Sequence, residues 1–265
     1  MSDVRQVRDW VRAAQRIAVL TGAGMSAESG VPTFRDATML APRPPAASAP
    51  RGGATGLGRP GAGSGLWAKF DPQQLATEEA FRANPAMVWD WYAHRRQMIA
   101  NVAPNAGHLA LAGFAQRHPG RLTVITQNVD GLHQKAGSQG VLALHGNIAE
   151  DQWLDTARAC CRAGAVTAGR PPACAACGNM RRPAVVWFGE MLPVDALAAA
   201  EETARRCDLM LVVGTSGVVY PAAGLARTTR GKVVVVNPGE TDLDDAAAAV
   251  LRGTAARLLP QLLED

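Results

Sequence analysis

Five short apolar runs recur along the chain, at Ile17–Thr21, Leu122–Thr126, Val141–Leu144, Leu209–Val213 and Lys232–Val236. They are continuous rather than alternating, the pattern of strands covered on both faces of a parallel sheet. Ala-rich stretches of helical composition separate them. The alternation predicts an α/β fold with a Rossmann-like, doubly wound parallel sheet. No internal repeat is visible.

Two stretches depart from this rhythm. Ala41 to Gly65 is almost wholly Pro, Gly, Ala, Ser and Arg. It offers too little apolar surface to offset its ordering entropy and is expected to form a flexible loop. Glu150 to Arg182 carries four cysteines and is expected to form a small inserted module. The predicted organisation is therefore a nucleotide-binding body over 1–149 and 183–265, a cysteine module over 150–182 and a flexible insertion over 41–65.

Polar residues follow each predicted strand: Gly22-Ala23-Gly24, Gln127-Asn128-Val129-Asp130, His145-Gly146-Asn147, Gly214-Thr215-Ser216 and Asn237-Pro238-Gly239. Ligands of open α/β sheets sit outside the carboxyl ends of the strands, so five loops are expected to face one crevice. Glycines after the first strand let backbone approach a pyrophosphate beside a helix N-terminus. Taken alone they read equally well as a tight turn. A hydride-transferring dehydrogenase also needs an acidic residue about 20 positions further on to hold the ribose. None lies between Asp36 and Asp71, so a dinucleotide would be held in another way.

Several of these segments, read together, resemble one family. Gly22-Ala23-Gly24-Met25-Ser26-Ala27-Glu28-Ser29-Gly30-Val31-Pro32-Thr33-Phe34-Arg35-Asp36 resembles the cofactor loop of the sirtuins. Gln127 to His133, Leu144 to Asn147, Val185 to Glu190 and Gly214 to Ser216 resemble four further signatures, in family order. The resemblance implies an enzyme that consumes NAD as a co-substrate. The acyl-lysine oxygen attacks the nicotinamide ribose, nicotinamide leaves, and the products are O-acyl-ADP-ribose and free lysine. His145 is then the general base on the ribose hydroxyls, a task suited to a neutral imidazole with a pKa near 6.5. A lone His at a strand end would otherwise read as structural.

The same resemblance places Asn128 and Asp130 beside the nicotinamide. Gly22, Ala23, Gly24, Ser26, Ala27, Glu28, Pro32, Thr33, Phe34, Arg35, Gln127, Gly214, Thr215, Gly239 and Ala255 fall along the cofactor, with Ser216 and Asn237 on its adenosine side. Val186, Phe188, Gly189 and Glu190 are expected to pair with substrate backbone as an added strand.

Asn84 is a good N-cap and Pro85 a good first helical residue, so a helix is predicted to run on to Val102. Val88, Trp91, Tyr92, Met98, Ile99 and Val102 share one face, with Arg95 in its middle. An Arg among apolar side chains is costly unless an anion meets it. Tyr92 and Arg95 lie three apart and are neighbours on that face. They are expected to grip an acyl carboxylate, Arg95 through its planar fork of donors. Hydrogen bonds to charged groups contribute about 1.5–3 kcal/mol each, enough to favour an acidic acyl group over acetyl by one or two decades. Tyr-x-x-Arg here, with the small Ala27, resembles the sirtuin branch that removes succinyl, malonyl and glutaryl groups. The alternative is an Arg95 that snorkels or pairs with Asp90 or Glu79.

Cys174-Ala175-Ala176-Cys177 has the spacing of half a zinc knuckle. Sirtuins supply a matching C-x-x-C before it, whereas this chain has adjacent Cys160 and Cys161. A tetrahedral structural zinc on the four and a metal-free module both stay open. Cys207 reads as core packing. The chain also departs from the family pattern in the Ala41–Gly65 stretch, an insertion that loop-closure entropy tolerates.

Bulk properties exclude more than they identify. The 265 residues are 48% hydrophobic, enough for a sizeable core. Net charge is +4, and with only three lysines among 27 basic residues the balance is Arg. No stretch interleaves basic with aromatic residues, so no specific nucleic-acid partner is expected. Met1 to Arg16 has no apolar h-region and no run approaches a membrane span, which with cysteines that do not read as a disulfide framework predicts a cytoplasmic protein. A monomer is compatible with the pattern. The expected partners are acylated lysines of other proteins. A mono-ADP-ribosyltransferase or NAD glycohydrolase on the same scaffold is the competing activity. A non-catalytic NAD-sensing module would not need the base.

Overall fold

The computed structural model describes residues 4–31 and 75–264. Pro32, Thr33, Phe34 and Arg35, and the Ala41–Gly65 insertion, lie outside the described residues. Helix α1 (Val4–Ala13) leads into strand β1 (Ile17–Thr21). Helices α2 (Glu78–Ala83), α3 (Pro85–Ala100) and α4 (Ala106–Arg117) precede β2 (Leu122–Thr126). A short helix α5 (Leu132–Lys135) and strands β3 (Leu142–Ala143) and β4 (Gly146–Trp153) follow. Helix α6 (Ala159–Ala163) and strand β5 (Arg181–Val185) come next. The chain closes with α7 (Val194–Arg206), β6 (Leu209–Val213), α8 (Ala222–Thr228), β7 (Lys232–Val236), β8 (Ala249–Leu251) and α9 (Ala255–Leu263).

Six strands form one sheet in the order β3-β2-β1-β6-β7-β8, with every neighbouring pair parallel. Successive residues of each strand face opposite sides. Ile17 and Val19 of β1 join α1, α4 and α9 through Val7, Leu111 and Leu259. Ala18 and Leu20 join α7 and α8 through Ala204 and Leu225. The continuous apolar runs therefore reflect burial on both faces, as the sequence implies. The chain order reverses between β1 and β6, the switch point at which the loops after strands part and leave a crevice.

A smaller unit stands at one side. Strands β4 and β5 pair antiparallel, with a register shift between Asn147 and Asp151. Phe81, Val88, Trp91, Tyr92, Ile148, Val185 and Trp187 form its core. The cysteine-bearing segment lies between these two strands in the chain. Asn84 caps α3 as predicted, its side chain accepting from the Met87 amide at 3.2 Å, with Pro85 at the first helical position. Of the predicted apolar face, Val88, Trp91 and Tyr92 are buried, whereas Met98 is 41% exposed. The apolar pattern of the sequence does not mark β4, β5 or β8. No helix among the described residues is long and apolar enough to cross a membrane.

Candidate active site

The loops after β1 and β6 cross at the switch point. The Gly22 amide donates to Val213 O at 3.0 Å and the Gly24 amide to Gly214 O at 2.8 Å. A Cβ on Gly24 would lie 2.8 Å from the Gly214 Cα. These glycines are thus required by the crossing of two backbones, beyond the approach to a phosphate that the sequence suggests. Among the described residues the amides of Ala23, Thr215 and Ser216 have no acceptor. Three unmatched N–H groups where two loops meet suit a pyrophosphate.

The β2 loop is anchored from below. Thr126 Oγ1 accepts from the Asn128 amide at 3.0 Å, and Asn128 Nδ2 donates to Gly22 O at 3.0 Å and Ser26 Oγ at 3.2 Å. The Asn128 carboxamide oxygen is left as an acceptor. Asp130 Oδ1 accepts from the Leu132 amide at 2.9 Å, an Asx turn that leaves the other oxygen available. Gln127 Nε2 donates to Thr215 Oγ1 at 3.3 Å and bridges the two sides of the switch point.

Two buried histidines lie under this loop. The Asn105 amide donates to His108 Nδ1 at 3.4 Å, so His108 Nε2 carries the proton that faces Ser26 Oγ at 3.5 Å. His133 Nε2 lies 3.0 Å from Thr21 Oγ1, which donates to Thr126 Oγ1 at 2.8 Å. The other ring nitrogen of His133, Nδ1, has no partner among the described residues. The rings stand 4.8 Å apart. Burial lowers His108 to about 4 and, with the like charge of His108, lowers His133 to about 3. Both are neutral. In the sequence, His133 falls inside a signature without a role of its own, and nothing there singles out Thr21, Thr126 or His108.

His145 follows β3. Its Nδ1 lies 2.8 Å from Gln127 O. A carbonyl only accepts, so Nδ1 carries the proton and Nε2 presents a lone pair. Burial lowers the pKa of the ring, partly offset by that hydrogen bond. A neutral imidazole oriented in this way is equipped to accept a proton.

Helix α3 is anchored toward its C-terminal end. Arg96 donates to Ile148 O at 2.5 Å and to Glu150 O at 3.0 Å, and Lys135 Nζ to Val102 O at 2.6 Å. One turn before Arg96, Tyr92 is 4% exposed and accepts from Trp187 Nε1 at 3.0 Å. Burial pushes its phenol up to about 12, so the hydroxyl keeps its proton. Arg95 stacks over Trp91 at 5.0 Å and lines a pocket with Gly30, Val31, Ile99 and Val102. Neither Arg95 nor the Tyr92 O–H meets an acceptor among the described residues. Asp90, a candidate partner for Arg95 in the sequence, pairs with Arg170 at 3.1 Å instead.

Val186 donates its amide to His145 O, and Phe188 to Ala76 O, each at 2.9 Å. The Trp187 amide donates to Glu190 Oε2 at 2.8 Å. Glu190 also takes both arms of Arg182, so its carboxylate braces this segment from within. Phe188 is 49% exposed. The remaining predicted contacts are dispersed. Glu28 accepts from the Ala256 amide at 3.2 Å, at the start of α9 beside Ala255. Ala27 is exposed, and Asn237 Nδ2 bonds Gly239 O at 2.9 Å.

The sulfurs of Cys160, Cys161, Cys174 and Cys177 lie within 4.8 Å of one another. Zn–S bonds of about 2.3 Å place tetrahedral sulfurs roughly 3.8 Å apart, so the four can hold one zinc. The adjacent pair converges because it opens α6, where the Cys161 amide bonds Arg158 O at 3.0 Å. Asn179 Nδ2 points at Cys161 Sγ at 3.8 Å. Cys207 is buried in the core, as expected.

A crevice at the carboxyl ends of a parallel sheet, with an oriented neutral His and a cysteine module beside it, defines a dinucleotide-binding enzyme scaffold. The chain belongs to the Sir2 family, whose model matches residues 54–221. It is similar to an NAD-dependent protein deacylase of Ralstonia nicotianae, 51% identical over 97% of this chain and 95% of that protein. A protein of the same description from Aquifex aeolicus is 45% identical, with 87% of each chain covered. Among solved structures, a complex of a Sir2 homologue with NAD is 36% identical with a TM-score of 0.78, covering 99% of this chain and 93% of that one. Sir2Tm bound to a propionylated peptide is 29% identical with a TM-score of 0.76, covering 99% and 98%.

Proposed function

We propose that the protein is an NAD-dependent protein-lysine deacylase that prefers acidic acyl groups, succinyl and malonyl above acetyl. The observation that carries the preference is the pair of donors on α3: Arg95 and Tyr92 lie three residues apart on one helix, and neither the guanidinium nor the Tyr92 O–H meets an acceptor among the described residues. A carboxylate satisfies both.

NAD supplies the ribose carbon to which the acyl oxygen transfers, with nicotinamide as leaving group. This chain's residues bind and orient. The free amides of Ala23, Thr215 and Ser216 suit the pyrophosphate, and Asn128 and Asp130 offer acceptors to a carboxamide. His145 Nε2 takes the proton from a ribose hydroxyl, and the Nδ1–H bond to Gln127 O stabilises the imidazolium that forms. The amides of Val186 and Phe188 are engaged internally, so an acyl-peptide strand would dock on the opposite edge of this segment. The same reading divides the chain into a cofactor body, 1–149 with 183–265, and a zinc-holding module, 150–182.

Mass spectrometry of a mixed acyl-lysine peptide panel with NAD tests the reading. Wild type should remove succinyl and malonyl at least tenfold faster than acetyl. Arg95→Met should lose most of that advantage and keep deacetylation. Equal turnover of acetyl and succinyl peptides would overturn the preference, and activity surviving in His145→Ala would overturn the mechanism.

A further inference from the structure

The Tyr92 hydroxyl is not a free rotor. Trp187 Nε1 donates to it at 3.0 Å, which occupies one side of the oxygen and directs the Tyr92 O–H to the other. Trp187 is itself immobilised. It is 2% exposed, packs against Phe81 at 5.2 Å between ring centres, and carries the Arg182 guanidinium over its face at 3.3 Å. Its backbone amide is held by Glu190, whose carboxylate is gripped by the same Arg182. Arg182 also donates to Val185 O at 2.6 Å. A part-buried ion pair, an indole and a phenol thus form one chain of contacts. It runs from the strand beside His145 to the helix that carries Arg95.

We infer that Trp187, clamped by Arg182 and Glu190, is a positioning residue that sets acyl-group selectivity by fixing the Tyr92 hydroxyl as a donor. This rests on the proposal that Tyr92 and Arg95 read an acyl carboxylate. Without the indole N–H, the Tyr92 oxygen has an open acceptor side and its O–H can turn away from the acyl pocket. A carboxylate loses one pre-oriented donor, whereas an acetyl group, with no charge to satisfy, loses nothing. Ordering a donor before binding raises affinity by removing a rotational cost at the moment of binding.

The test is Trp187→Phe, which keeps an aromatic ring under Arg182 and removes only the N–H. Steady-state kinetics are measured on succinyl- and acetyl-lysine forms of one peptide. The KM for the succinyl peptide should rise roughly three- to tenfold with kcat little changed, the worth of one net hydrogen bond. Acetyl kinetics should stay within twofold. In a Tyr92→Phe background the same substitution should have no further effect on the ratio. If Trp187→Phe folds poorly, benzothienylalanine at position 187 has the indole shape without the donor and reads the same ratio. A wild-type enzyme with no succinyl preference overturns the acyl reading itself. A wild-type preference that persists unchanged in both Trp187 variants, or a loss shared equally by acetyl and succinyl peptides, overturns only the role of Trp187.

Discussion

His145 Nδ1 lies 2.8 Å from the carbonyl oxygen of Gln127, the residue that opens the loop carrying Asn128 and Asp130. One hydrogen bond thereby sets the tautomer of the base and ties it to the loop expected to hold the nicotinamide. Removing the ring in His145→Ala should lower kcat by about 10²–10⁴-fold, the usual range for a positioned base. NAD affinity, measured by calorimetry, should change little. Burial lowers the pKa of this His from 6.5, so the neutral form persists below that value. The acid limb of the kcat profile should accordingly lie below pH 6.5. A limb centred above pH 7 would contradict the assignment.

His108 and His133 couple stability to pH. Their folded pKa values, about 4 and about 3, lie below the unfolded value of 6.5. The unfolded chain therefore binds more protons in this range, and stability falls as pH drops. The contribution is complete above pH 6.5 and is lost progressively towards pH 4 and 3. Together the two rings contribute several kcal/mol, because a tenfold difference in proton affinity between folded and unfolded chain is worth about 1.4 kcal/mol. Urea melts between pH 8 and pH 4 should show a falling midpoint, flattened in His133→Gln. A midpoint independent of pH would exclude the neutral pair.

The sheet was legible in the sequence because burial on both faces writes uninterrupted apolar runs. Four of the five predicted strands match to the residue, and Val141–Leu144 shortens to Leu142–Ala143. Strands β4 and β5 were not legible: most of Gly146–Trp153 is exposed or half-buried and polar, so no apolar pattern marks it. Three-residue β8 is too short to carry a period. Among site residues, His145, Asn128 and Asp130 announced themselves by position at strand ends. Trp187 and Arg182 did not, because an indole N–H bonded 95 positions back in the chain leaves no local signature. Glu190 read as a substrate contact, yet its carboxylate closes on Arg182, which lies outside the recognised segment.

The cysteine cluster should hold one zinc per chain. Plasma mass spectrometry of purified protein should give a ratio near one, lost in Cys161→Ala. Because a structural metal contributes folding free energy directly, that variant should melt roughly 5–10 °C lower. Chelation of wild type should reproduce the shift. A metal-free protein with the same melting temperature in both forms would establish the module as metal-independent.

Gly214 and Gly30 separate two reasons for glycine. Both have positive φ, +61° and +89°. At Gly30 a Cβ would meet nothing within 4 Å among the described residues, so Gly30→Ala should cost only the left-handed strain of about 1–2 kcal/mol. At Gly214 the Cβ would lie 2.3 Å from the Met25 amide nitrogen and 2.5 Å from the Gly24 carbonyl carbon. Backbone atoms cannot step aside as a side-chain end can, so the two crossing loops must separate. Gly214→Ala should therefore be destabilised by roughly 3 kcal/mol or more, in the range of overpacked cores. It should also lose NAD affinity, because the amides of Ala23, Thr215 and Ser216 sit on the displaced loops. Thermal melts with and without NAD decide the point. Equal losses in the two alanine variants would mean that strain alone selects glycine at 214, and that the loop crossing does not shape the cofactor site.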